Sequence, residues 1–284
     1  MIRIADEVRE AGAVVALETT IVAHGFPPGD GVEVALECER QVREAGAVPA
    51  TVGVLDGEIR VGLTEDELSR FTAEARKLGP RDLAACVARG ETGATTVGGT
   101  LAVCRQAGIR FMGTGGIGGV HRGPHLDISA DLIELSRAPV VVVSSGVKSL
   151  LDVPATAELL ETLCVPVLGW RTETIPRFYD AGGGPPVSQR VETADDVVSI
   201  ARKHWELVGC GVLLANPPPR SIDVEALIES ALDDALDLGT TGQGLTPFVL
   251  SELHARSGGE TLALNRELAA ANAGLAAEVA VAAA

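Results

Sequence analysis

The run Val140–Val143, four valines in succession, constrains the fold of this chain more than any other feature. β-Branched residues favour extended backbone, and successive side chains of a strand point to opposite faces. Valine at every position therefore demands that both faces be covered, which places the strand inside a sheet with helices on either side. Other short apolar runs, at Val14–Leu17, Thr51–Leu55, Arg110–Met112, Pro166–Leu168 and Val212–Ala215, read as further strands. Helical periodicity between them predicts helices over Val32–Ala45, Glu65–Lys77, Arg81–Arg89, Leu101–Ala107, Ala155–Leu163, Ala194–Leu207 and Val224–Leu238. This alternation implies crossover connections and an α/β fold with a mainly parallel sheet. The pair Thr51–Leu55 and Glu58–Val61, joined around Asp56-Gly57, reads as a hairpin and makes the sheet mixed. Only 3% of residues are aromatic, so the core is expected to be aliphatic. The Gly- and Pro-rich stretch Asp180–Ser188 predicts a loop suited to a mobile flap. No linker or repeat divides the 284 residues, and residues 1–284 read as one catalytic α/β domain.

Charge and cysteine usage exclude several classes. A formal charge of −16 argues against a phosphate-backbone binder, because such surfaces neutralise phosphates with Lys and Arg. A small anionic substrate needs only a local basic pocket. The acidic N-terminal stretch MIRIADEVRE is unlike a signal peptide, and no apolar run is long enough to span a bilayer. A cytoplasmic address with neither nucleic-acid nor membrane partner is expected. The Ala-rich end, interrupted by Glu267 and Glu278, reads as a packing helix. The five cysteines are an odd set without a C-x-x-C pair, so neither a disulfide framework nor a zinc knuckle is indicated, and most of them read as small buried residues.

Four stretches carry chemistry. In Gly113–Asp131 (GTGGIGGVHRGPHLDISAD), closely spaced glycines follow a strand, at the edge where open α/β sheets bind ligands. His121, Arg122, His125, Asp127, Ser129 and Asp131 follow, offering an acid–base group, a cation and oxygen donors for a metal or sugar hydroxyls; a plain tight turn is the alternative. Lys148 lies just beyond the valine strand, after Ser144-Ser145-Gly146. A partly desolvated lysine there could attack a carbonyl as a Schiff-base nucleophile; the alternative is a solvated lysine opening the next helix. Glu18 stands at the end of the first strand, followed by Thr19, Thr20 and His24, where it could act as a general acid or merely cap a turn. Finally, Lys77, Arg81 and Asp82 with Gly93–Thr100 could cradle a phosphate at a helix N-terminus, or simply cap that helix. His204 and His254 are isolated on helical stretches and read as surface or packing residues.

These segments together resemble the pseudouridine-5′-phosphate glycosidase family, also called the indigoidine synthase A-like family. The resemblance rests on ALETTIVAHGFP, GTGGIGGVHRG, DISADL, SSGVKSLLD, LLANPPP and TGQGLTPFVL, in that order along almost the whole chain. It implies a three-layer α/β/α sandwich with a mixed, mainly parallel sheet, assembled as a homotrimer. It also implies a reversible lyase-type reaction in which pseudouridine 5′-phosphate and water give uracil and ribose 5-phosphate. Read toward synthesis, water leaves the sugar, so the enzyme is expected in the carbon–oxygen lyase class, hydro-lyase type. By position, Lys148 matches the family's nucleophile at C1′ of the ring-opened ribose and Glu18 its proton donor. Asp127 matches the ligand of a divalent metal, Mn2+. Lys77, Val97 (through its backbone), Ser129, Ala130 and Asp131 match substrate contacts, and His121 and Asn265 match residues lining the pocket. The spacer RGPHL between His121 and Asp127 is shorter than is usual in the family. Two other functions remain open at this level: a lysine-dependent sugar-phosphate aldolase, and a non-enzymatic nucleotide-sensing domain.

Overall fold

A computed structural model describes residues 2–27, 29–123, 127–240 and 244–284. Its strands, in chain order, are β1 (Ile2–Ile4), β2 (Val14–Glu18), β3 (Val48–Leu55), β4 (Glu58–Val61), β5 (Arg76–Leu78), β6 (Gly93–Thr95), β7 (Phe111–Gly113), β8 (Val120–His121), β9 (Val141–Ser144), β10 (Leu151–Asp152), β11 (Val167–Trp170), β12 (Gln189–Val191) and β13 (Val212–Ala215). Among the described residues, eleven of these form one sheet in the order β1-β4-β3-β2-β7-β9-β13-β11-β12, with β6 pairing off β3 and β5 off β6. Pairing is parallel throughout except at β3–β4 and β3–β6, so the sheet is mixed and mainly parallel, as expected.

The valine strand lies at the centre of this sheet, between β7 and β13, and every residue of β9 is buried. Helices Asp30–Glu44, Ala194–Leu207 and Glu260–Ala283 pack together on one face, the last lying against β2, β7 and β9. On the other, Val97–Ala107 lies over β2 and β3 with Pro80–Ala88 and Ala130–Leu135 beside it. The core is aliphatic, built from Val, Leu, Ile and Ala. The last helix is apolar nearly all round, which suits an element buried between others. No helix of the described residues is long and apolar enough to cross a membrane.

One predicted helix is corrected. Glu65–Lys77 forms a helix only over Glu65–Leu68, opened by a capping box between Thr64 and Glu67. Leu68 and Phe71 then sink into a second apolar cluster with Leu55, Leu63 and Ala94, and the chain straightens to pair as β5 with β6. Helical spacing of the apolar residues was therefore satisfied by one turn plus a strand; sheet pairing overrode local propensity. The N-terminal and Gln189–Val191 strands were also missed, both being short edge strands with exposed positions. Asp180–Ser188 is a loop, but one tied to the preceding segment: Ile175 N–H donates to Pro185 C=O at 2.8 Å and Val187 N–H to Glu173 C=O at 3.0 Å.

Candidate active site

Parallel strands point their carboxyl ends to one edge, and β2, β7, β9 and β13 deliver Glu18, Thr114, Ser145 and Asn216 there together. β6 runs back along β3 and brings Thr95–Val97 to the same place. Thr95 N–H donates to Thr19 Oγ1 at 2.9 Å, and both threonine hydroxyls donate to Val52 C=O. The result is a cavity of about 1030 Å³ whose lining includes Glu18, Lys77, Lys148, His121, Asp127 and Asn265. Val97, Ser129, Ala130 and Asp131 line it too, so every residue that the family resemblance assigned to the site faces one space. No residue of Asp180–Ser188 lines it.

Glu18 is 5% exposed and held by two hydroxyls: Thr114 Oγ1 donates to its Oε1 at 2.5 Å, and Thr20 Oγ1 to its Oε2. Burial pushes its carboxyl above the ordinary range, more than the nearby Lys148 charge and the two hydroxyls pull it down. It is thus able to carry a proton at a pH where a surface glutamate could not.

Lys148 leaves the β9 end through a tight turn. Gly146 has φ +73°, and a Cβ there would collide with the Pro176 carbonyl, so glycine is required twice over. Lys148 N–H donates to Ile117 C=O at 3.2 Å and Ile117 N–H to Gly146 C=O at 3.1 Å, pinning this turn to the Gly-rich loop. The next helix begins only at Val153, so Lys148 is a turn residue and not a helix opener.

Lys77 projects from β5 toward the same cluster. Burial first, then the Lys148 charge, holds its ammonium below the ordinary lysine range, against the pull of Asp131 and Glu18. Two cations and two carboxylates thus sit within electrostatic reach of one another. His24 and His121 are likewise held below the usual histidine range, first by burial and then by these lysines; Asp127 opposes the shift at His121. Both rings are accordingly neutral near pH 7.

Asp131 has a role the sequence did not reveal. Its Oδ1 accepts from Gly98 N–H at 2.7 Å and its Oδ2 from Gly118 N–H at 2.9 Å, so one buried carboxylate joins the Val97–Ala107 N-terminus to the Gly-rich loop. A Cβ on Gly118 would collide with Ser129 Oγ and reach within 2.8 Å of Asp131 Oδ2. Ser129 caps the following helix, its Oγ accepting from Asp131 N–H at 3.3 Å. Arg122, read from sequence as a site cation, is structural: it donates to the Ser149 and Leu151 carbonyls and pairs with Glu225. Arg81 is exposed at the cavity rim, and Asp82 accepts from Gly79 N–H at the start of Pro80–Ala88, as a cap does.

Of the expected metal position, Asp127 faces the cavity and its carbonyl accepts from His121 N–H at 2.9 Å. His125 lies outside the described residues. Among those described, no three His, Cys, Asp or Glu side chains converge on a point, but His121 Nδ1 is buried without a hydrogen-bond partner. One carboxylate lining a cavity of this size fits a hard divalent ion that keeps most of its water.

Sequence reasoning overlooked Thr114 as the partner of Glu18, and Asn272 altogether. Asn272 is fully buried on the last helix; its Nδ2 lies 2.8 Å from Thr114 O, 3.2 Å from Gly115 O and 3.1 Å from Ser145 Oγ. Its Oδ1 accepts from Asn216 Nδ2 at 2.9 Å. An Asn inside an Ala-rich helix was the available signal, since a buried amide needs partners.

Comparison with known proteins finds a matching family and several relatives. The profile of the family described as indigoidine synthase A like protein matches residues 3–282. A pseudouridine-5′-phosphate glycosidase of Myxococcus xanthus is 46% identical over 297 aligned positions, covering 99% of this chain and 98% of that protein. One from Geobacillus kaustophilus is 43% identical, covering 97% and 96%. Among solved structures, an indigoidine synthase A-like protein from Thermotoga maritima superposes with a TM-score of 0.91 at 37% identity, over 99% of this chain and 96% of that one. The prealnumycin C-glycosynthase AlnA, in complex with ribulose 5-phosphate, does so with a TM-score of 0.90 at 37% identity, over 100% and 97%.

Proposed function

Because this chain belongs to the indigoidine synthase A-like family, we propose that it is a pseudouridine-5′-phosphate glycosidase working through a lysine adduct on the sugar. The observation that carries this reading is the placement of Glu18, its carboxyl raised by burial, in the same cavity as Lys148. A carbon–carbon glycosidic bond cannot be broken by protonating a leaving heteroatom alone. Lys148 Nζ adds to C1′ as the ring oxygen leaves with a proton, and the nitrogen lone pair of this open-chain adduct then forms the C1′ iminium while the bond to uracil gives its electrons to the uracil carbon. Glu18 delivers the proton to the uracil carbon as that bond breaks, and water then releases ribose 5-phosphate from Lys148. Read toward synthesis, the C1′ hydroxyl leaves as water, which makes the enzyme a hydro-lyase.

Lys77, the Val97 backbone and the Ser129–Asp131 turn would hold the substrate, with His121 and Asn265 lining the remaining wall. A divalent ion such as Mn2+, held by Asp127 and water, would add positive charge beside the substrate's oxygens. The homotrimer that the family resemblance implies is part of this proposal, and light scattering would check it.

The decisive assay is free uracil released from pseudouridine 5′-phosphate in the presence of Mn2+. Turnover of simple sugar phosphates alone would instead make the protein an aldolase, and tight binding without turnover a nucleotide sensor. Borohydride trapping with ribose 5-phosphate should place the adduct on Lys148 by mass spectrometry, and Lys148→Ala should abolish both adduct and turnover. A variant that keeps normal turnover would overturn the covalent route.

A further inference from the structure

We propose that Cys164 and Cys210 form a reversible disulfide when a hydroperoxide oxidises the protein, at the sheet edge opposite the cavity. The two residues are far apart in sequence, yet β11 and β13 are parallel neighbours in which Val167 is opposite Leu213. Cys164 and Cys210 each lie three positions before those residues, at the entrances to the two neighbouring strands. Leu213 N–H donates to Pro166 C=O at 3.1 Å, showing that the alignment persists beyond the strand. Adjacent strands run about 4.8 Å apart, inside the Cα separation of about 4.4–6.8 Å that a disulfide spans.

Side-chain positions agree. Cys210 Sγ is 3.9 Å from the Leu163 carbonyl, which belongs to the peptide unit joining Leu163 to Cys164. The buried sulfur therefore points at the segment bearing the other thiol. Of the five free cysteines, Cys164 is the exposed one, and it sits at φ +59° in the turn that ends the Val153–Thr162 helix. The pair consequently has an accessible thiol that an oxidant can meet and a sheltered thiol to resolve it. A thiolate charge at Cys164 is felt by Cys210, consistent with their proximity. His204 hydrogen-bonds the backbone of Cys164, while its Nε2 is buried without a partner in the same corner.

The chemistry balances. The Cys164 thiolate takes one oxygen from the hydroperoxide, giving a sulfenic acid and releasing water or an alcohol. Cys210 sulfur then attacks that sulfur, its proton leaves with the hydroxyl as water, and the S–S bond forms. Two thiols are oxidised and one peroxide is reduced; a dithiol reagent reverses the step.

The test treats the reduced full chain with a small excess of hydrogen peroxide, blocks remaining thiols and maps peptides without reduction. The expected product has no covalent link between chains, is lighter by two hydrogens per chain before blocking, and carries a Cys164–Cys210 linked peptide that dithiothreitol removes. In Cys210→Ser a dimedone-trapped sulfenic acid should accumulate on Cys164, and Cys164→Ser should protect Cys210 from oxidation. Because the pair lies at the far edge, turnover should be equal in the oxidised and reduced forms. Over-oxidation of Cys164 with Cys210 still open to alkylation, a link between chains, or no reaction at either thiol would overturn the proposal.

Discussion

At the residue scale, Glu18 ties stability to chemistry. Its carboxyl titrates higher in the folded chain than in the unfolded chain, so folding binds a proton between those two values. The stability this contributes is fully present below the ordinary glutamate value of about 4.3 and is lost as pH rises through the raised one. Glu18→Gln keeps the shape but cannot ionise. We expect it to unfold at a higher temperature than the parent above that window, with the difference vanishing toward acid pH, while kcat falls about 10²- to 10⁴-fold. Melting curves across pH, together with the uracil assay, check both halves. Gly118 makes a second residue-scale case. Gly118→Ala forces Ser129 or Asp131 to move, so a loss of about 1–3 kcal/mol in denaturant unfolding should accompany weaker substrate binding. Asp127→Asn tests the metal reading. Altering groups that merely orient a metal ligand costs about 10- to 100-fold in affinity, so the Mn2+ needed for half-maximal activity should rise at least that much.

At the scale of elements, the site depends on how loops at neighbouring strand ends are joined. Asn272 reaches from the last helix to the ends of β7, β9 and β13. Asn272→Leu would bury orphaned carbonyls, costing about 1–3 kcal/mol by denaturant titration. It should also lower kcat, because Thr114, the hydroxyl partner of Glu18, hangs from the same amide. Equal kcat in the two proteins would show that Asn272 serves folding alone. β5 shows why an element can be misread. Leu68, Phe71 and Ala75 have helical spacing, yet pairing with β6 decided the backbone of Arg76–Leu78, and Lys77 acquired its direction from that strand.

At the scale of the molecule, the formal charge of −16 would oppose the anionic substrate we propose, whereas Lys77 and Lys148 would attract it inside the cavity. Salt screens distant surface charge, over about 10 Å at 0.1 M, more than it screens buried neighbours. We therefore expect KM for the phosphate-bearing substrate to fall modestly between low and moderate ionic strength in steady-state assays. A rise would mean that the cavity cations govern approach.

The central architecture was legible in the sequence because its signal is local. Four valines require two covered faces, and strands that alternate with helices require parallel crossovers; both follow from side-chain periodicity. Lys148 and Glu18 could be placed at strand ends for the same reason, and the motifs that resemble the family pointed to the residues around them. What the tertiary structure alone decided depends on contacts between segments distant in sequence. Burial by surrounding elements raises the Glu18 carboxyl, and Asp131 is turned from a free oxygen donor into a clasp between two backbones. Arg122 is assigned to Glu225 and the Ser149–Leu151 turn, and Cys164 is brought beside Cys210. Periodicity tells which face a residue occupies; only the packed sheet tells which residue from elsewhere will meet it there.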